Sequence, residues 1–116
     1  MNLLTNLQYS QDEIKQLKLA TDGYVWVAVD VKKHVMVAGD DHFRKLKDVL
    51  YKIKCRSGDI WGVGLNLLTG DIYLRSPVNR KVVPKYTSTE LPEEVEDQVV
   101  DEVRYFFENL GGLRTC

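Results

Sequence analysis

The chain has 116 residues, 44% of them hydrophobic and 28% charged, with a formal net charge of −1. That length suits one domain with a modest core, and the balance excludes a globally disordered polymer. No run approaches the roughly 20 apolar residues that cross a bilayer, and residues 1–6 lack the basic and apolar regions of a secretory leader, so a cytoplasmic protein with no membrane partner is expected.

The charge is unevenly distributed. Residues 1–30 carry two bases and four acids (−2), residues 31–85 twelve and five (+7), and residues 86–116 two and eight (−6). Such asymmetry signals either a polyanionic partner or internal compensation, an acidic C-terminal helix lying near the basic segment. The near-zero total favours compensation. Cys55 and Cys116 are too far apart in the sequence, with one at the terminus, to suggest a disulfide, and a reducing compartment fits them better. Neither CxxC nor HxxxH spacing occurs, and no glycine-rich loop joins a strand to a helix. No metal or other cofactor is expected.

In chain order, Ser10 followed by Glu13 is a capping box. It opens a helix with an apolar stripe of Ile14, Leu17 and Leu19, stopped by Asp22 and Gly23. Residues 24–31 alternate valine with Tyr24, Trp26 and Ala28 and predict a strand, which Lys32 and Lys33 turn into a second strand at 34–38. Asp40 and Asp41 then offer an N-cap for a helix to about Lys54, with Phe43, Leu46, Leu50 and Ile53 on one face. A second hairpin takes residues 60–67 and 72–76, with Gly70 at the position needing a positive φ. Residues 77–89 read as a polar connection. The last helix has Pro92 in its first turn, acids at Glu93, Glu94, Glu96 and Asp97, and a stripe of Val95, Val99, Val103, Phe106 and Leu110. Gly111 and Gly112 end it, and the tail beyond is expected to fray.

The expected fold class is α+β: a mainly antiparallel four-stranded sheet from two β-hairpins, in the order α-ββα-ββα, with helices packed on the sheet. Residues 1–116 form one domain. Trp26 and Trp61 fall at similar points of the two hairpins and suggest a ββα pseudo-repeat over 24–54 and 59–110.

Gly62 and Gly64 share one strand face, while Trp61, Val63 and Leu65 share the other. A glycine pair in a strand lets something approach the backbone closely, whether a helix, a ligand or a second subunit. The strand at 24–31 is apolar on both sides and must be covered on both. Three helices can do so with two on one face and one on the other. If all crowd one face, another chain must cover the second. The Trp26, Gly62 and Gly64 side is therefore the candidate partner-binding surface.

The segments VAVDVKKHVMVAGDDH and DIWGVGLNLLTGDI resemble a family of small prokaryotic proteins of unknown function. Its marks are a Val-Asp-Val strand, a Met-or-Leu-Val-Ala-Gly strand with a nearby His, and a Trp-Gly-x-x-Leu-x-x-x-Thr-Gly hairpin. The likeness spans roughly residues 24–72 and implies a fold and a bacterial or archaeal origin, but no reaction. After the second hairpin, Arg75 stands where members tend to carry an acid, so an activity vested in that stretch is not implied for this chain.

Two chemistries compete with partner binding. Asp30, His34 and His42 are the candidate catalytic residues, because a carboxylate that orients a histidine prepares a general base. Arg44, Lys45, Lys47, Lys52, Lys54 and Arg56, joined by Arg80, Lys81 and Lys85, would neutralise several phosphates of a nucleic acid if they share a face. The expected function is a non-enzymatic interaction module that self-associates or binds a protein partner, with nucleic-acid binding second and an enzyme a distant third.

Overall fold

The structure is a computed structural model that describes residues 2–40, 42–74 and 93–115. Two hairpins form its centre: β2 (Tyr24–Asp30) runs into β3 (Val35–Gly39), and β4 (Ile60–Asn66) into β5 (Asp71–Tyr73). Both reverse in the same way. Asp30 Oδ1 accepts the backbone N–H groups of Lys32 and Lys33, both at 2.9 Å, and the His34 N–H donates to the Asp30 carbonyl. Asn66 Oδ1 accepts those of Leu68 and Thr69 at 2.9 and 3.2 Å, and the Gly70 N–H donates to the Asn66 carbonyl. A short Asp or Asn side chain thus supplies the acceptor that a four-residue loop leaves out. The last loop residue is left-handed in each, Gly70 at φ +81° and His34 at φ +56°.

β2 also pairs antiparallel with β4, setting Trp26 opposite Gly64 and Ala28 opposite Gly62. The sheet exceeds the four strands expected. Asn2–Thr5 forms β1, antiparallel to β3, which makes five antiparallel strands; a two-residue β6 (Arg114–Thr115) then runs parallel to β5. The order is β1-β3-β2-β4-β5-β6. β1 is too short to display a period of two, so it left no signal in the sequence. The tail does not fray at Gly111. Gly111 and Gly112 take φ +71° and +64° and return the chain to β5. Residues 75–92, including the expected polar connection, and Cys116 lie outside the described residues.

Helix α1 (Gln11–Thr21) opens on the full capping box: Ser10 Oγ accepts the Glu13 N–H at 3.1 Å, and Glu13 Oε1 accepts the Ser10 N–H at 2.9 Å. Ile14 and Leu17 are buried, but Leu19 is exposed and not part of the stripe. Helix α2 (Phe43–Lys52) starts later than expected. Its N-cap is His42, not Asp40, and His42 makes no side-chain cap hydrogen bond; Asp41 is not among the described residues. Phe43, Leu46 and Leu50 are buried, whereas Ile53 is the C-cap and exposed. Helix α3 (Glu93–Phe106) buries Val99, Val103 and Phe106 as expected, and Val100 as well; Phe107, just past its end, is also buried.

Each helix connects two strands that point the same way: β1 to β2 around β3, β3 to β4 around β2, and β5 to its neighbour β6. All three connections step in one direction across the sheet, but β3 and β4 run opposite to the other pairs. Crossovers of a single hand therefore place α1 and α3 on one face and α2 on the other. The core divides accordingly. Val25, Val27, Val29, Trp61, Val63 and Leu65 pack with Ile14, Leu17, Val99 and Val103, whereas Ala28, Val35, Val37 and Ile60 pack with Phe43, Leu46 and Leu50.

Tyr9 clasps the first of these layers. Its N–H donates to the Phe106 carbonyl at 2.8 Å, its hydroxyl to the Leu3 carbonyl at 2.7 Å, and its ring lies 4.7 Å from that of Phe107. Asn109 Nδ2 returns a hydrogen bond to the Tyr9 carbonyl. Burial holds the phenol far above its ordinary titration range.

At the end of α2 the Cys55 N–H donates to the Leu50 carbonyl and the Lys54 N–H to the Tyr51 carbonyl, with Lys54 left-handed at φ +66°. That is the helix ending for which glycine is favoured. Lys54→Gly is expected to raise stability by about 1 kcal/mol, and Ser10→Ala to lower it by about 1 kcal/mol. Urea denaturation of the two variants checks both signs.

Candidate functional site

The glycine face lies on the α2 side of the sheet. Gly62 and Gly64 are both buried, opposite Ala28 and Trp26. A Cβ on Gly64 would collide with the Tyr24 hydroxyl and come within 2.9 Å of Tyr24 Cζ and 3.2 Å of Trp26 Cζ3. The side-chain-free spot is therefore roofed by rings of the same chain. Those rings form a strip: Tyr73 stands 5.7 Å from Tyr24, Tyr24 meets Trp26 edge-on at 4.8 Å, and Trp26 lies 4.7 Å from Phe43 at the start of α2. Phe43 is buried, while Tyr24, Trp26 and Tyr73 are each half-buried. Burial, then the neighbouring Tyr73, push the Tyr24 phenol upward.

Asp30, His34 and His42 do not converge. Asp30 is fully buried on the α2 side, with Oδ1 committed to the turn and Oδ2 lacking a hydrogen-bond partner among the described residues. Cys55, buried at the exit of α2, lies beside it. Burial first, and then the Asp30 carboxylate, push this thiol from 9.0 up to about 11. A thiol so raised is protonated at neutral pH and a poor nucleophile. His42 is exposed at the start of α2.

His34 instead turns toward α3. Its Nδ1 lies 2.6 Å from Glu102 Oε2, and its ring sits 4.7 Å from Tyr105 and 5.0 Å from Phe106. The contact is one of proximity: the buried Glu102 Oε2 makes no hydrogen bond among the described residues. One local feature singles out His34. The loops from Asp30 to His34 and from Asn66 to Gly70 align residue for residue, and His34 occupies the slot that its twin gives to glycine. Two surface hollows, one around Arg104 and Gly112 and the other around Lys15 and Asn109, include none of the three candidates. Among the described residues no three His, Cys, Asp or Glu side chains are grouped to hold a metal ion.

The basic candidates are drawn onto one helix and its exit. Arg44, Lys45, Lys52, Lys54 and Arg56 are exposed and Lys47 is half-buried, on the face of the sheet opposite α3. These six bases therefore lie across the sheet from the acidic helix. Arg80, Lys81 and Lys85 lie outside the described residues.

A family model for a protein of unknown function (DUF5674) matches residues 3–106, well beyond the span that carried the resemblance in the sequence. No curated protein and no solved structure matches the chain. No described helix is long and apolar enough to cross a membrane.

Three outcomes test this geometry. Gly64→Ala is expected to destabilise the fold by about 1–3 kcal/mol, because the Tyr24 ring must move. His34→Gly is expected to be more stable than His34→Ala by about 1 kcal/mol, since both lose the Glu102 contact but only glycine relieves the left-handed backbone. Thermal melts of the variants compare these pairs. The stability conferred by the neutral Cys55 thiol is full below pH 9.0 and is lost as pH rises through about 11; at pH 8, alkylation followed by mass spectrometry should find native Cys55 protected and the urea-unfolded thiol labelled.

Proposed function

Proceeding from a chain that belongs to the DUF5674 family of proteins of unknown function, we propose a non-enzymatic interaction module, cytoplasmic, that binds a protein partner or a second copy through the α2 side of the sheet. The observation that carries this reading is the strip of three half-buried rings, Tyr24, Trp26 and Tyr73, gathered over the glycine strand. Large aromatic side chains held rigid by their neighbours are the usual energetic centres of protein interfaces. The chemistry-bearing residues support it by default: Asp30 is engaged in a turn, His42 stands apart, and the His34–Glu102 pair has no nucleophile beside it among the described contacts. A free, buried Cys55 fits a reducing compartment.

Nucleic-acid binding is the second reading, favoured by one observation: six bases of α2 and its exit lie on the face opposite the acidic helix, so α3 does not neutralise them. Filter binding at low and moderate salt separates it from the first, since a phosphate-binding face loses affinity steeply with salt. For the first reading, the double variant Trp26→Ala, Tyr73→Ala is expected to weaken association at least about tenfold by light scattering. A strict monomer at high micromolar concentration that also retains no protein in pull-downs would refute the module.

A further inference from the structure

Building on that reading, we infer that the partner of the α2 face is a second copy of this chain arranged head to tail, the basic α2 face of one molecule seated on the acidic α1/α3 face of the next. The charges are the first argument. α2 and its exit carry Arg44, Lys45, Lys47, Lys52, Lys54 and Arg56 against Asp48, a balance of +5. α3 carries Glu93, Glu94, Glu96, Asp97, Asp101 and Glu102, with Glu108 just past its end, against Arg104, a formal balance of −6, while the two acids and two lysines of α1 cancel. The molecule is 21 Å across in its shortest dimension. Opposite faces are thus about two Debye lengths apart at 0.1 M salt, too far to neutralise each other through solvent. Neither face is neutralised by the other face of the same molecule, and each carries the sign that the other lacks.

Symmetry is the second argument. A two-fold dimer presents the same patch from both partners. Pairing α2 with α2 would set +5 against +5, and pairing α3 with α3 would set −6 against −6. Like charges brought together across an interface oppose it, whereas the head-to-tail contact joins opposite signs at every step. Both faces also offer exposed apolar groups to bury: Tyr51 and Ile53, each 40% exposed, at the end of α2, and Leu19 (77%) and Tyr105 (38%) on the other side. Head-to-tail contacts close into a ring or extend as a filament, and both exceed a dimer.

Charge reversal tests the arrangement. Sedimentation velocity of the full chain at about 25 mM and about 300 mM salt is expected to show association that weakens at the higher salt. Lys47→Glu with Lys52→Glu, and separately Asp97→Lys with Asp101→Lys, should each weaken self-association at least about tenfold. Mixing the two variants should restore association as one-to-one pairs, because the unaltered α2 face of one variant then meets the unaltered α3 face of the other. Unchanged circular dichroism melts establish that both are folded; if either is not, the single changes Lys52→Glu and Asp101→Lys repeat the exchange. Association of the unmodified chain without rescue on mixing overturns the head-to-tail geometry while leaving the interaction module standing. So does stronger association of the Lys47→Glu, Lys52→Glu variant alone, which marks an α2-to-α2 dimer. Salt-sensitive retention of a single-stranded oligonucleotide by a chain that stays monomeric assigns the face to nucleic acid and overturns the proposal.

Discussion

The structure depends on a strand with no polar side. β2 puts Val25, Val27 and Val29 on one face and Tyr24, Trp26 and Ala28 on the other, so it is stable only as the middle of a three-layer arrangement. Chain connectivity then decides which helix goes where. Because the strand direction alternates along the sheet while the crossovers keep one hand, the first and third helices fall together and the second falls alone. No further specification is needed to give the first layer two helices and the second only one.

That division has an electrostatic consequence that no count of residues reveals. The basic central third and the acidic final third are consecutive in the chain, and proximity in sequence suggests neutralisation. The fold puts the thickness of the sheet between the six bases of α2 and its exit and the acids of α3. It also leaves the single-helix side less fully covered, and there the glycines admit Tyr24 and Trp26 close to the backbone while their outer edges stay accessible. The aromatic strip and the basic helix are two results of one topological choice.

What could be read from the sequence follows from how local each signal is. The capping box at Ser10, the left-handed Gly70 and the centres of the apolar stripes of α2 and α3 depend on residues within four positions of one another, and they are found where expected; the stripes miss at their ends, Ile53 being exposed and Leu110 lying past α3. The need to cover β2 on both sides was equally legible, as a pattern of alternating residues. The rest is contact between distant segments. β1 exists because β3 offers an edge to Asn2–Thr5, and β6 because two left-handed glycines bring the chain back to β5. His34 finds Glu102 on a helix that begins far downstream, and Cys55 reaches Asp30 through the path of α2. The glycine pair suggests close approach by a helix, a ligand or a second subunit, whereas Gly64 receives its nearest visitor, Tyr24, from the adjoining strand of the same molecule.

Tyr9 fastens the beginning of the chain to its end, holding Leu3 through its hydroxyl and Phe106 through its backbone. During synthesis, this latch has nothing to close on until the last helix has left the ribosome. Until then, the side of the sheet that α1 and α3 share is covered by α1 alone and the valines that α3 would bury face solvent, a period in which a chaperone or a neighbouring nascent chain competes for the same surface. The order of translation thus leaves the completion of this layer to α3.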